Sequence, residues 1–512
     1  MATIGQSHQN RLFMELQEGL MLRVSIFALF LFAVVGCGGG GDGQTSSRQE
    51  IVPDSPSTPD TSTTTWQPGV FLPSDDFYQV CADPSMAYDQ ETAVPGTYVD
   101  ENNWLRSFTY ETYLWYDEIV DTDPACCTTP EYFELMKTFE TTSSGKPKDQ
   151  FHYSVPIEEF LSSEEGIEYG YGFRLGRGEL GFFILYVEPD SPAAKAGLKR
   201  SMYISEINGV PVNQLSDEQL LSALVPSGPE RHSFTVLTVG SSQVRSITMI
   251  ATEVITSPVL HVTTLTNRIS GHAVGYILFN SHIAPAEPDL ISAVNYLNSR
   301  NVDDLVLDLR YNGGGLLYIA SELAYMVAGS QATRNRTFEQ SIYNDKLPAE
   351  EPWPFLSVDS NGAFLPSLDL RRVFVLTSVF TCSASEAIIN GLRGIDIDVV
   401  LIGDTTCGKP YGFVPEENCG TVYYTVQFKG VNDKGFGDYA DGFQPTCQAI
   451  DDIRHPLGDP MEDALGTALD YIGSGRCPPP QQTARSGEAV VQPEPPNITE
   501  IWPPIIPRRI ID

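Results

Sequence analysis

The sequence predicts a multidomain α/β protein in which an N-terminal helical domain, a β-rich domain and an α/β domain follow one another. The chain has 512 residues, too many for one ordinary hydrophobic core. The spacing of apolar residues also changes twice, from helical intervals to short strands, and then to alternating strands and helices. We therefore expect the three domains at residues 76–160, 161–256 and 257–477, followed by a Pro-rich tail at residues 478–512.

The first 37 residues resemble the signal peptide of a bacterial lipoprotein. Arg23 precedes an apolar run, Val24 to Val35, which ends at Gly36-Cys37. This run is short for a transmembrane helix, and a small residue before a cysteine suits signal processing. We expect the mature chain to begin at Cys37 with lipid on its thiol, and the alternative is a single anchoring helix. Residues 38–75, rich in Gly, Ser, Thr, Pro and Asp, are expected to form a disordered linker.

The formal net charge of −35 bears on the partners of the chain. It would repel a polyanion, so nucleic acid is not expected as a partner. Eight cysteines follow Cys37, and an even number in an exported chain permits disulfides. Cys407 and Cys419 are close in sequence and are the first expected pair. The sequence has no C-x-x-C motif or histidine cluster, so it predicts no metal site, and it predicts no cofactor.

Aromatic and aliphatic residues recur at roughly helical intervals from Asn103 to Thr141, which predicts a small helical domain. We interpret this stripe as core, because large aromatic side chains usually fill interiors. The members are Trp104, Phe108, Tyr113, Leu114, Trp115, Tyr132, Phe133, Leu135, Met136 and Phe139. In the tail, Ile501, Trp502 and the Ile505-Ile506 pair are candidates for docking on another surface.

Between Glu165 and Val254, short strands broken by Gly and Pro surround one helical segment near Asp217 to Leu224. Three segments in this region, taken in order, resemble a PDZ domain: Gly170-Tyr171-Gly172-Phe173, Ser191 to Leu198, and Ile204 to Val212. In a PDZ domain the glycine loop offers backbone N–H groups to the terminal carboxylate of a peptide, and the peptide adds as a strand to a sheet edge. The alternative is that this unit is a spacer or a lid.

From Gly275 onward the chain alternates strands and helices, which predicts a largely parallel sheet. Function gathers at the carboxyl ends of such strands, and two of these ends carry suggestive residues. The segment Asp308 to Gly315 ends in three glycines, whose N–H groups can serve as oxyanion donors. The segment Thr381 to Glu386 brings a serine to a helix N-terminus, although the same residues also make an ordinary helix cap.

With the Gly408-Lys409 segment after the next strand, these motifs resemble the carboxyl-terminal processing peptidases, also called tail-specific proteases. That family combines Asp-Leu-Arg-x-Asn-x-Gly-Gly, Ser-Ala-Ser-Glu and Gly-Lys in this order, after a PDZ domain. The resemblance covers about residues 104–472 and implies a ClpP/crotonase-like α/β catalytic domain. It also implies a serine endopeptidase whose nucleophile is Ser383 and whose general base is Lys409.

The resemblance further implies that the backbone N–H groups of Gly314 and Ala384 form the oxyanion hole, and that Ser385 is a helix-capping neighbour. A lysine is a base only when it is neutral, and burial in an apolar pocket favours that form. Many family members have a glutamine four residues after the lysine, whereas this chain has Phe413. Glu416 or Glu417 would then orient the lysine, or the dyad acts alone.

The expected partners are proteins or peptides with free C-termini, together with a membrane reached through the N-terminal lipid. The expected location is the bacterial cell envelope, with the outer membrane or the periplasm favoured. A second hypothesis is a catalytically silent scaffold that binds protein C-termini, and it places Ser383 and Lys409 out of hydrogen-bond reach. A third is thiol catalysis by Cys382, which the sequence disfavours because no histidine stands where it would activate the thiol.

Overall fold

The computed structural model describes residues 66–479, except 179–180, 227, 240 and 242, together with residues 500–502 and 508–510. Cys37, the expected signal peptide and most of the expected linker lie outside these residues. Within them, no helix combines the length and the apolar character that crossing a bilayer would require.

The N-terminal part contains three helices and three short strands. The helices are α1 (Tyr98–Thr112), α2 (Thr129–Leu135) and α3 (Ile157–Glu164), and the strands are β1 (Val80–Cys81), β2 (Val94–Pro95) and β3 (Tyr153–Pro156). Trp104, Phe108, Tyr132 and Phe133 form a buried cluster, which confirms that the aromatic stripe is core. Leu135 and Phe139 of the same stripe are exposed instead.

The β-rich part is built on one main antiparallel sheet and a separate pair of antiparallel strands, Ile167–Gly170 with Thr252–Ile255. Its elements are β4 (Ile167–Gly170), β5 (Phe173–Gly178), β6 (Gly181–Val187), α4 (Pro192–Lys195), β7 (Met202–Ile207), β8 (Val210–Pro211), α5 (Asp217–Leu224), β9 (Arg231–Thr238), β10 (Val244–Ile250) and β11 (Thr252–Ile255). The strand order is β10-β9-β7-β6-β5, and β8 pairs with β7. Buried residues of these strands and of α5, such as Leu175, Ile204 and Leu220, form a core of their own.

The α/β part is organised around a six-stranded sheet in the order β12-β13-β14-β18-β19-β24, in which β12 alone is antiparallel to its neighbour. Its elements are β12 (Val259–Thr266), β13 (Ala273–Phe279), α6 (Ala286–Asn298), β14 (Asp304–Asp308), β15 (Gly314–Leu316), α7 (Leu317–Thr333), β16 (Thr337–Tyr343), β17 (Trp353–Pro354), β18 (Arg372–Thr377), α8 (Ala384–Gly394), β19 (Asp398–Gly403), β20 (Tyr411–Gly412), β21 (Glu416–Asn418), β22 (Thr421–Tyr424), β23 (Phe428–Val431), β24 (Cys447–Gln448) and α9 (Asp463–Ser474).

Helices cover both faces of this sheet. Residues of α6, α7 and α8 share one core with inward side chains of β13, β14 and β18. Leu465 and Ala468 of α9 pack against the opposite face of the same strands. Because β14, β18 and β19 are adjacent and parallel, the segments that follow their carboxyl ends meet at one edge of the sheet.

Four disulfides join the described cysteines: Cys81–Cys419, Cys126–Cys127, Cys382–Cys407 and Cys447–Cys477. The expected pair Cys407–Cys419 is therefore wrong. Cys407 follows β19 and lies beside Cys382, which follows the neighbouring strand β18. Cys419 instead occupies the turn between β21 and β22, where it meets the N-terminal segment at Cys81.

Two short strands of the C-terminal tail complete the described chain. They are β25 (Glu500–Trp502) and β26 (Arg508–Ile510). β25 pairs antiparallel with β5, and β26 pairs parallel with β15. The candidate docking residues Ile501 and Trp502 thus lie on a paired strand, whereas Ile505-Ile506 falls outside the described residues.

Candidate active site

Three loops meet where the strands β14, β18 and β19 end. The Thr381 hydroxyl donates to the carbonyl of Leu309 at 2.8 Å, and the Cys382 N–H donates to the carbonyl of Asn312 at 3.1 Å. The Cys407 N–H donates to the Thr381 carbonyl at 3.0 Å. The Cys382–Cys407 disulfide then joins two of these loops covalently. The structure therefore brings together all three motifs that the sequence analysis singled out.

Ser383 occupies a sharp turn immediately before α8. Its φ of 59° lies in the left-handed region, which is unfavourable for a residue other than glycine. Such strain persists only where the surrounding structure imposes it, and here the disulfide on one side and α8 on the other do so. The turn holds the serine at the positive end of the α8 dipole.

The Glu386 carboxylate links the two candidate catalytic segments. One of its oxygens accepts from the N–H of Ser383 at 3.0 Å and from the N–H of Lys409 at 2.8 Å. The other accepts from the Thr406 hydroxyl at 2.6 Å and the Gly408 N–H at 2.9 Å. Because one oxygen binds both N–H groups, the backbone nitrogens of Ser383 and Lys409 are within about 6 Å of each other.

Glu386 is fully buried, and burial raises its pKa above the usual value, although the four hydrogen bonds oppose that shift. From the sequence, this residue is expected only as part of a helix cap. Glu386 stands three residues after Ser383, which is the spacing of a helix cap. The sequence does not show that its other carboxylate oxygen reaches the loop after β19.

The Lys409 side chain is buried among aromatic rings. Its Nζ lies 3.7 Å from the centroid of the Phe413 ring and 5.1 Å from that of Phe151. Both Ser383 and Lys409 are 0% exposed. Phe413, where the family often has glutamine, thus contacts the lysine through its ring face rather than through an amide.

Glu417, one of the two glutamates expected to orient the lysine, has other partners. Glu417 instead accepts from the Gln79 amide at 2.7 Å and from the Gly420 N–H at 2.6 Å, so it fixes the N-terminal segment to the β21–β22 turn. Burial, with the adjacent Glu417 as the next contribution, raises the pKa of Glu416 to about 7.

Gly314, one of the two expected oxyanion donors, already has a hydrogen-bond partner. The Gly314 N–H donates to Oδ1 of Asn312 at 2.9 Å and is occupied. The Asn312 amide is fixed because its nitrogen donates to the Phe279 carbonyl, and its oxygen also lies 2.9 Å from Nδ1 of His282. Burial lowers the pKa of His282 to about 3, so the imidazole is neutral at pH 7 and donates through Nδ1.

The next glycine, Gly315, faces the other way. The His282 N–H donates to the Gly314 carbonyl, and the Leu316 N–H donates to the His282 carbonyl. Backbone groups alternate along a strand, so the Gly315 N–H points away from His282. Its φ is 138°, and a Cβ there would lie 2.3 Å from the His282 carbonyl oxygen. Ala384 is the first residue of α8, where N–H groups lack intrahelical acceptors.

The predicted peptide-binding loop lies at the start of β5. The carbonyls of Tyr171 and Gly172 accept from the N–H groups of Ala193 and Glu188 at 2.9 and 2.7 Å. Gly172 has a φ of 74°, and a Cβ there would lie 2.2 Å from the Ser191 Cβ. Gly170 ends β4 and Phe173 begins β5, so all four predicted residues lie at one end of the β5 edge.

Thiol catalysis by Cys382 is contradicted, because its sulfur is bonded to that of Cys407. Glu386 lies close to the same two sulfurs, but disulfide sulfurs are not the thiolates that bind transition metals. The chemistry that this arrangement supports is therefore that of a buried serine and lysine.

Two parts of the chain match known protein families. The Peptidase family S41 description matches residues 273–422, which include Ser383 and Lys409, and the PDZ domain description matches residues 161–236. The chain carries a peptidase family S41 domain. The S41 domain and the PDZ domain thus correspond to the α/β and β-rich parts of the fold.

Individual relatives point to the same family. The carboxyl-terminal-processing protease of Picosynechococcus sp. is 27% identical over 43% of this chain and 49% of its own. The carboxy-terminal processing protease CtpB of Bacillus subtilis is 27% identical over 56% of this chain and 55% of its own. The chain spans about half the length of these curated relatives. A solved structure titled as an S41 protease from Bacteroides fragilis has a TM-score of 0.59 and 25% identity, covering 73% of this chain and 97% of that one.

Proposed function

We propose that the protein is an exported serine endopeptidase in which Ser383 is the nucleophile and Lys409 the general base. The observation that carries the proposal is the Glu386 carboxylate, which binds the backbone of both residues and fixes their separation. The S41 domain match and the names of the relatives support the same activity.

In this mechanism the Ser383 hydroxyl attacks the carbonyl carbon of the scissile bond while the neutral Lys409 amine takes its proton. The N–H of Ala384 stabilises the developing oxyanion, and we assign Gly315 as the second donor in place of the occupied Gly314. The lysine then gives its proton to the leaving amine. Water hydrolyses the acyl ester and restores the free serine.

We further propose that the PDZ domain engages the C-terminus of the substrate through β5 and the loop from Gly170 to Phe173. The location we propose is the cell envelope, with an N-terminal lipid on Cys37. The four disulfides support an oxidising compartment, because such bonds rarely persist in a reducing cytosol.

The first test is cleavage of an unfolded protein with an apolar C-terminus by the wild type, Ser383→Ala and Lys409→Ala. We expect both variants to lose at least about a thousandfold in kcat/KM, because each removes a reacting group. Matched controls are Ser385→Ala, which loses one hydrogen bond to Asn312, and Lys434→Ala, an exposed lysine paired with Asp396. Both controls should retain activity.

An inactive wild type would favour the silent scaffold instead, whereas a Ser383→Ala variant that cuts as well as the wild type would show that another residue is the nucleophile. The scaffold predicts that Ser383→Ala binds C-terminal peptides with the same affinity as the wild type and that neither protein cleaves them. A folded state of each variant is checked by circular dichroism and thermal unfolding.

A further inference from the structure

We infer that the C-terminal tail is a tethered peptide ligand whose two described strands, Glu500–Trp502 and Arg508–Ile510, occupy the substrate path, so that peptide substrates must displace them. The inference rests on the proposed function, because that function defines which edges the substrate follows. Its structural basis is that two strands of the tail, β25 and β26, pair with the two edges that the mechanism assigns to substrate.

The first edge is β5 of the PDZ domain. β25 extends the PDZ sheet beyond β5, with Glu500 opposite Arg177, Ile501 opposite Gly176 and Trp502 opposite Leu175. The pairing is antiparallel, so the tail runs from N to C toward the Gly172-Phe173 end of β5. Strand addition at a sheet edge is how a peptide binds a PDZ domain, and the tail uses that edge.

The second edge is β15 of the S41 domain. β26 lies parallel to β15, with Gly314 opposite Arg508, Gly315 opposite Arg509 and Leu316 opposite Ile510. One side of β15 already bonds to His282, so β26 lies on the side to which the Gly315 N–H points. The tail therefore lies along the glycine run that the mechanism uses for the oxyanion.

Other contacts of β26 place it beside the catalytic lysine segment. β26 also lies next to β20, which begins two residues after Lys409. Ser383 and Lys409 are both fully buried, although a substrate has to reach them. Only five residues separate Trp502 from Arg508, so the two edges are within roughly 20 Å of each other, and one peptide can span both.

A tethered ligand of this kind competes with substrate. It raises the apparent KM and leaves kcat unchanged once substrate has displaced it, because the catalytic groups themselves are intact. Its effective concentration is set by its attachment to the same chain. We expect removal of the tail to lower KM at least about fivefold with kcat within twofold of the full chain.

The decisive experiment measures binding rather than cleavage, in the Ser383→Ala background so that no peptide is consumed. A fluorescent peptide with the sequence of residues 498–512 is titrated by anisotropy into the full chain and into a chain ending at Pro479. The shortened chain should bind the peptide at least about tenfold more tightly, because its two edges are open. A third protein, the full chain with Ile501→Pro and Ile510→Pro, should bind like the shortened one, since proline disrupts a paired strand and at Ile510 removes the N–H that faces Gly315.

The matched control is Ala484→Pro, a proline in the same tail outside both strands, which should bind the peptide as weakly as the full chain does. Equal binding by the full and shortened chains would overturn the inference. Failure of the proposed function would look different: the shortened chain with Ser383 intact would bind the peptide and still cleave nothing. Added peptide should also inhibit cleavage by the shortened chain competitively.

Discussion

The Lys409 Nζ of the proposed base lies against the ring of Phe413. The ring face lies 3.7 Å from Nζ and stabilises the ammonium form over the neutral amine. A glutamine at this position would instead orient the lysine by hydrogen bonding. By favouring the ammonium form, the ring contact reduces the fraction of lysine that is neutral and able to act as a base at neutral pH. The same contact holds the side chain in place.

We predict that Phe413→Leu moves the acid limb of the kcat/KM profile to lower pH by about half a unit to one unit. A cation–π contact of about 1 kcal/mol favours the ammonium, and its loss lets the lysine become neutral at lower pH. The measurement is the pH dependence of kcat/KM for a peptide substrate.

The control is Phe374→Leu, which removes the same ring from the core on the other face of the sheet. It should destabilise the protein by about 1–2 kcal/mol and leave the acid limb of the kcat/KM profile at the same pH. A shift of the same size in both variants would show that loss of packing, not loss of the ring from the lysine, is responsible.

The residues of the dyad are predictable from sequence, and those that hold them are only partly so. Ser383 and Lys409 stand in short motifs that can be recognised in the sequence without knowledge of the fold. Glu386 stands in the same motif, but its bonds to Gly408 and Lys409 depend on which strand lies next to β18. The Asn312 side chain that occupies the Gly314 N–H is equally invisible, because the sequence does not show a side-chain rotamer.

Among the elements, the N-terminus of α8 connects the strand ends through Glu386. We predict that Glu386→Gln lowers kcat at least about tenfold and the free energy of unfolding by about 2–3 kcal/mol. The carboxylate accepts four hydrogen bonds, whereas the amide nitrogen of glutamine accepts none and so leaves buried donors unpaired. Steady-state kinetics and urea unfolding measure the two effects.

The matched control is Glu131→Gln, which changes the same third position of a capping box at α2. Glu131 is exposed and accepts only from the N–H and hydroxyl of Thr128. Its loss should cost about 1 kcal/mol or less and leave kcat unchanged. If Glu386→Gln behaves like Glu131→Gln, then Glu386 is a cap and does not position the dyad.

Local elements follow the sequence more closely than pairings do. The expected helix at Asp217 to Leu224 is found at those bounds, because Ser216 and Gln219 form a capping box that marks its start. The predicted alternation of strands and helices after Gly275 is also found, although α7 runs from Leu317 to Thr333 across a bend at Gly329. β25 and β26 pair with residues more than 190 positions away, and such pairings leave no local periodicity to read.

At the scale of the whole molecule, Glu188 lies at the junction between the PDZ and S41 domains. It follows β6, and its carboxylate accepts from the Ser257 N–H at 2.9 Å, just before β12. Burial raises its pKa to about 7. A carboxyl whose pKa is higher in the folded state stabilises that state most below its unfolded pKa, and this contribution is lost as pH rises through 7.

We therefore predict that Glu188→Gln flattens the fall in unfolding free energy between pH 5 and pH 8 by up to about 3 kcal/mol. The amide cannot ionise, so it avoids the cost of a buried charge at high pH. Urea unfolding at several pH values measures this, with the exposed Glu253→Gln as control. Parallel pH curves for wild type and Glu188→Gln would contradict the assignment.

The Cys81–Cys419 bond joins residues 338 positions apart and closes a covalent ring around the PDZ domain and both dyad residues. One broken peptide bond inside that ring leaves a two-piece molecule whose pieces separate only after reduction. No cysteine follows Cys477, so the stretch beyond it lies outside every ring. Cleavage of one peptide bond in that stretch releases the tail irreversibly, and the covalent ring that contains the dyad remains intact.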